Sequence, residues 1–180
     1  QQRVRRDHAK PAGLGLDDEW LARRGVEAVA DDPGNEVGGA ARRRTDDDPV
    51  AADRVRTCAD LADAVRGAAF VIEAGPERLE VKQRIFEALD QFAPPDAVLA
   101  SNTSAIPIGD IGARVRDRSR VVGSHFWNPP YAVRLVEVVQ ADATSAATVE
   151  RTIALLRECR MLPVHVRRDV PGFIGNRLQH

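Results

Sequence analysis

The sequence predicts an α/β domain built on a mainly parallel sheet. Two observations carry this. Short apolar runs such as AAFVIEAG (68–75) and AVLASN (97–102) stop at Gly-Pro or at a polar cluster, as buried strands do. Between them lie amphipathic segments of helical period, so strand and helix alternate along the chain from about residue 54.

The elements follow in order. AAFVIEAG is the first clear strand, closed by Gly75-Pro76. ERLEVKQRIFEALDQF (77–92) predicts a helix that turns Val81, Ile85, Phe86, Leu89 and Phe92 inward, and Pro94-Pro95 stops it. AVLASN is a second strand, and IPIGDIGARV (106–115) a short helix weakened by two glycines. RVVGSHF (120–126) and LVEVVQ (135–140) predict two further strands, the second folded back on the first by Pro129-Pro130. Ser145 caps a helix through about Glu158, with Val149, Ile153 and Leu156 inward. LPVHVRR (162–168) alternates as a half-exposed strand does, and PGFIGNRLQH (171–180) begins a last helix. Residues 1–50 differ: they are polar, glycine-rich and broken by charge blocks such as RRRTDDD (42–48), and only LARRGVEAVADD (21–32) has a structured pattern.

Composition sets bounds on function. The chain has 180 residues, 43% of them hydrophobic, enough for one domain and part of a second. A net charge of −1 gives no bulk attraction to nucleic acid. Nearly all basic residues are arginine, with lysine only at Lys10 and Lys82. Cys58 and Cys159 fit neither a disulfide framework nor a metal-ligand spacing, and no metal is expected. No apolar run reaches membrane-spanning length, and QQRVRRDHAK has no signal-peptide core, so the expected location is cytoplasmic and no membrane partner is expected.

The polar residues that can do chemistry fall where strands end, and in parallel sheets ligands bind beyond the carboxyl ends of strands. His125 ends one strand, and Glu137 sits inside the apolar run LVEVV. A carboxylate beside an imidazole selects its tautomer and stabilises its protonated form, which makes a base and its orienter. Either residue alone is as easily structural or solvated. Asn102 and Ser104 follow a strand; they can bond a ligand or simply build a turn into the Pro107 helix. Asn176, in the first turn of the last helix, can equally be a surface residue.

The stretches VIEAGPERLEVKQRIF, SNTS, HFWNPP, LVEVV and DVPGFIGNR stand in one order and spacing. With them the chain from about residue 54 to 180 resembles the second part of the nucleotide-binding domain of L-3-hydroxyacyl-CoA dehydrogenases. The HFWNPP version is similar also to lambda-crystallin, L-gulonate and carnitine dehydrogenases. The resemblance implies a Rossmann-like, doubly wound, mainly parallel sheet and NAD as cofactor. It implies NAD-dependent oxidation of an L-3-hydroxyacyl-CoA to the 3-ketoacyl-CoA, a step of fatty-acid metabolism, with acyl-CoA or a related small hydroxy compound as substrate. By the same resemblance His125 is the base, Glu137 orients it, and Ser104 and Asn176 bond the reacting oxygen region of the substrate. Asn102 contacts the nicotinamide ribose side, and Glu77 and Lys82 belong to the cofactor cleft. Arg134 departs from the uncharged residue expected in that turn.

The first part departs further. Gly13 and Gly15 supply G-x-G, but Asp18 stands at the third glycine position, and Asp17, Asp18 and Glu19 would face the pyrophosphate. In LARRGVEAVADD, Asp32 aligns as the ribose-binding carboxylate, with Asp31 the alternative. The expected organisation is therefore an irregular first part over 1–53, the second part of the NAD-binding domain over 54–170, and at 171–180 the start of a helix leading to an absent helical domain through which the family dimerises. On this basis weak or no NAD binding, and no turnover of acyl-CoA by this chain alone, are expected, and the alternative to an active enzyme is an inactive remnant that at most binds nucleotide or a partner.

Overall fold

The structure, a computed structural model, describes residues 55–178 and the backbone of a strand at Val26–Ala28. Gly13, Gly15, Asp31 and Asp32 lie outside the described residues. Strand β1 (Val26–Ala28) pairs antiparallel with β2 (Arg56–Cys58), apart from the main sheet.

The main sheet has five strands in the order β3 (Phe70–Glu73), β4 (Val98–Ser101), β5 (Val121–Phe126), β6 (Leu135–Val139), β7 (Leu162–Val166). Pairs β3–β4, β4–β5 and β6–β7 are parallel, and β5–β6 is antiparallel. The exception follows from connection length. A tight turn can join only antiparallel neighbours, whereas the parallel pairs are spanned by crossovers that carry a helix or helical turns. Those crossovers carry α2 (Leu79–Phe92), α3 (Ile108–Ile111) and α4 (Ala146–Glu158); α1 (Leu61–Ala64) precedes β3 and α5 (Gly175–Leu178) follows β7.

Both faces of the sheet are covered, so its central strands are apolar on both sides. On one face Leu99, Val121 and Val139 pack with Phe86, Leu89, Ile108, Ile111 and Phe173. On the other, Val98, Ala100, Val122, Val136 and Val138 pack with Val149 and Leu156 of α4. Ser145 caps α4 as expected, accepting from the Thr148 N–H, and the cap is reinforced by its own hydroxyl contact with Thr148.

Two helices differ from expectation. The buried stripe of α2 is turned: Lys82, Phe86 and Leu89 are buried while Val81, Ile85 and Phe92 are only half-buried. The hydrophobic period placed the apolar residues, but a buried ion partner for Lys82 rotates the face. The predicted 106–115 helix is one α-turn followed by a 3-10 turn, Gly112–Arg114. Its first two N–H groups, of Ile108 and Gly109, are capped by the Asp169 carboxylate from beyond β7, at 2.8 and 2.7 Å. The turn sits tightly on the sheet: a Cβ on Gly123 would lie 2.8 Å from both Ile108 Cδ1 and Val139 Cβ.

Candidate active site

Two buried carboxylates organise the carboxyl edge of the sheet. The first is Glu73, the last residue of β3. Its oxygens accept from Lys82 Nζ at 2.8 and 3.1 Å, from the Gly75 N–H at 2.5 Å and from the Ser101 hydroxyl at 2.7 Å. Lys82 Nζ also donates to the Gly75 carbonyl at 3.3 Å and lies 3.5 Å from Glu77 Oε2. Glu77 in turn accepts on one oxygen from the Thr103 hydroxyl (2.5 Å) and from the N–H groups of Ser104 (3.0 Å) and Ala105 (3.1 Å). Burial pushes the Glu77 carboxyl up, but the Thr103 bond, the Lys82 charge and the two backbone N–H groups outweigh it and hold it below the usual carboxylate range. This network shapes the 101–105 loop. Lys82, expected in the cofactor cleft, is buried with its ammonium turned to Glu73 and Gly75, and through Glu77 it is tied to the 101–105 loop.

The second carboxylate is Glu137. Antiparallel pairing sets it opposite His125, and two residues in register lie on the same face. The imidazole Nδ1 is 2.8 Å from Glu137 Oε2. The same oxygen accepts from Trp127 Nε1 at 3.2 Å, while Oε1 accepts from the N–H groups of Ile174 (2.9 Å) and Gly175 (3.0 Å). Burial pushes this carboxyl up, yet the His125 bond, then the Gly175 and Ile174 N–H groups and the Trp127 indole, hold it below its ordinary value. An ionised carboxylate can only accept, so Nδ1 donates to it, and in the neutral ring Nε2 is then the nitrogen with the lone pair. The His125 ring leans on Phe173 with centroids 5.9 Å apart, and its side chain is 12% exposed.

A closed chain of contacts connects the remaining residues. Asn102 donates its N–H to the Glu73 carbonyl at 2.8 Å and accepts on Oδ1 from the Phe126 N–H at 3.0 Å, so it ties the loop to the end of β5. Asn176 Nδ2 donates to the Ser104 carbonyl at 2.7 Å, and the Gly172 N–H to the Ala105 carbonyl at 3.1 Å. Asn176 follows Gly175, whose N–H is on Glu137. Asn102, Ser104, Asn176, Glu137 and His125 thus meet at one edge, beside an open depression lined by Ala105, Pro171, Gly172, Asn176 and Arg177. Gly172 permits the approach: its φ of +75° is the left-handed region that a side chain strains. Ser104 is exposed at this edge, with its backbone held on both sides. Arg134, flagged as a departure, bonds the Arg160 carbonyl at 2.6 Å and so fastens the start of β6 to the chain entering β7.

Sequence reasoning missed Glu73, Ser101, Thr103, Trp127 and Gly175. For Glu73 a signal existed: like Glu137, it is a carboxylate in an otherwise apolar strand. For Trp127 and Gly175 there was none, because their meeting depends on how the chain after β7 folds back over β5 and β6.

The family described as 3-hydroxyacyl-CoA dehydrogenase, NAD binding domain, matches residues 20–170. A 5-formyl-3-hydroxy-2-methylpyridine 4-carboxylate 5-dehydrogenase of Mesorhizobium japonicum is 40% identical over 124 residues, 69% of this chain and 40% of that protein. An L-carnitine dehydrogenase of Streptomyces coelicolor is 34% identical over 192 residues, 99% of this chain and 60% of that protein. The crystal structure of an Escherichia coli 3-hydroxybutyryl-CoA dehydrogenase superposes with a TM-score of 0.64 at 41% identity, over 67% of this chain and 25% of that one. The chain therefore spans 40 to 60% of the length of these two curated relatives. The mixed, mostly parallel sheet superposes on the Escherichia coli dehydrogenase, and the chain belongs to the 3-hydroxyacyl-CoA dehydrogenase NAD-binding domain family.

Proposed function

We propose that this site removes the hydroxyl proton of a small secondary alcohol, an L-3-hydroxyacyl-CoA or a related hydroxy acid, while the adjacent carbon is oxidised. The observation that carries the proposal is the His125–Glu137 pair. Glu137 holds Nδ1 and leaves Nε2 as the acceptor, and it stabilises the imidazolium once the proton has moved. NAD, the cofactor of this family, supplies the hydride acceptor when bound. The described residues fit its nicotinamide end. The loop after β4 offers the Asn102 amide and the exposed Ser104, polar groups suited to ribose hydroxyls and to a substrate oxygen, and Glu73 and Glu77 hold that loop rigid.

A second substrate class has its own support. Two of the relatives above are named for carnitine and for a formyl-hydroxypyridine carboxylate and not for a coenzyme A thioester, so a free acid is the alternative to a thioester of fatty-acid metabolism. One panel separates the two. The protein is incubated with NAD and either 3-hydroxybutyryl-CoA, carnitine or other short hydroxy acids, and NADH absorbance is followed beside the His125→Gln variant. Reduction with the thioester, lost in the variant, supports the first reading. Reduction with free acids alone moves the substrate to the second. Equal turnover in protein and variant overturns the role of His125.

A further inference from the structure

We propose that Trp127 is a positioning residue for His125: its indole N–H shares the carboxylate oxygen that His125 uses, and so moderates how strongly Glu137 holds the imidazole. The inference rests on the reading of His125 as the base, which it deepens.

Three observations support it. Trp127 Nε1 and His125 Nδ1 approach the same atom, Glu137 Oε2, at 3.2 and 2.8 Å. The other oxygen is already filled by the Ile174 and Gly175 N–H groups, so the carboxylate is fully coordinated by four donors and cannot rotate to relieve the sharing. The indole is also held in place from behind. Its six-membered ring lies against the backbone of Gly175, where a Cβ would meet Trp127 Cζ2 directly and come within 2.9 Å of Cε2. The glycine is what lets the ring reach the carboxylate.

The physical consequence has a sign. Two N–H donors on one oxygen divide its electron density, and each bond is weaker than it would be alone. Deleting the indole donor leaves Oε2 to His125, whose bond to Glu137 shortens and strengthens. A residue that merely filled space would have the opposite effect, because its loss would loosen the pair.

The Nδ1 proton of His125 reports this bond directly. A hydrogen-bonded imidazole proton resonates far downfield in proton NMR, and further downfield as the bond strengthens. The measurement is made on the full chain, with the His125→Gln variant assigning the signal. In Trp127→Phe, which keeps an aromatic ring and loses the donor, the resonance is expected to move downfield. If Trp127→Phe fails to fold, benzothienylalanine at position 127 gives the same comparison, since it replaces only the indole N–H by sulfur. A resonance that stays in place or moves upfield in the folded variant overturns the proposal. The failure of the catalytic reading is seen separately: turnover unchanged by His125→Gln removes the base, while the resonance still reports whether Trp127 competes for Glu137.

Discussion

Glu73 and Glu137 invite comparison. Each is a carboxylate on an apolar strand, each side chain is nearly unexposed (2% and 3%), and each meets a nitrogen cation or its precursor at 2.8 Å. They differ in that partner. The lysine ammonium is a compact point charge, and its donors are turned to Glu73 and the Gly75 carbonyl inside the protein. Imidazole carries two nitrogens on different sides of a ring, so Nδ1 can be spent on Glu137 while Nε2 still addresses a ligand. A buried Glu–Lys pair is closed and serves the loop it builds. A buried Glu–His pair has an outlet. A carboxylate in an apolar strand therefore announces a buried partner, and the chemistry of that partner decides whether the site is scaffold or apparatus.

The largest test of this contrast is Lys82→Met. It leaves Glu73 buried without its counter-charge, which typically costs about 3–5 kcal/mol, a large part of the roughly 5–15 kcal/mol that holds a domain together. Urea denaturation followed by circular dichroism should show the loss. A variant as stable as the parent would mean that the Glu73 cluster is not the structural half of the comparison.

His125→Ala is the complement. In a turnover-competent form of the protein it should lower kcat by about 10²–10⁴, the usual cost of a general base, with a smaller loss of stability than Lys82→Met, because Glu137 keeps three of its four donors. Loss of stability without loss of rate would reverse the roles assigned to the two clusters.

Acid unfolding sharpens the comparison on the Glu137 side. Its folded-state carboxyl lies below the ordinary value of 4.5 despite burial, because His125, the Gly175 and Ile174 N–H groups and Trp127 favour the ionised form. A depressed carboxyl contributes stability that is present above the unfolded value and is lost as pH falls through the folded one. Stability should thus decline from about pH 4.5 downward, and Glu137→Gln should show a shallower decline than the parent. Asp90 adds to the same slope. Burial pushes it up, but its bonds to Arg116 and Arg120 hold it below its ordinary 3.8, so the slope in Glu137→Gln should be reduced and not abolished. Equal acid slopes in variant and parent would show that Glu137 gains nothing from its four donors.

The smallest expected effect calibrates the others. Ser145→Ala removes the cap of α4 on the opposite face of the sheet, remote from both carboxylates, and should cost about 1 kcal/mol in urea with kcat unaltered. A larger loss there would indicate that the two faces are more tightly coupled than their separate cores imply.

Much of this protein was written locally. The alternation of apolar runs and helical periods set all five strands of the main sheet and α2 and α4, because burial on a two-sided sheet requires continuous apolar strands and a 3.6-residue stripe. Ser145 announced its helix start by type alone, and the turn after His125 set the strand reversal that places Glu137 in register with it. Other features needed the folded chain. The inward face of α2 rotated toward Lys82 because Glu73, nine residues earlier, needed a buried cation, and hydrophobic periodicity cannot register such a demand. The short helix after Pro107 is capped by Asp169, 61 residues away. Asn176 meets the Ser104 carbonyl, and Trp127 meets both Glu137 and Gly175, only when the segment after β7 lies back across the sheet edge. Periodicity and capping act over one or two turns of chain, and a motif names residue types in order. Which hydrogen bond a side chain finally makes depends on groups brought together across 10 to 72 residues, and that proximity exists only after the sheet has assembled.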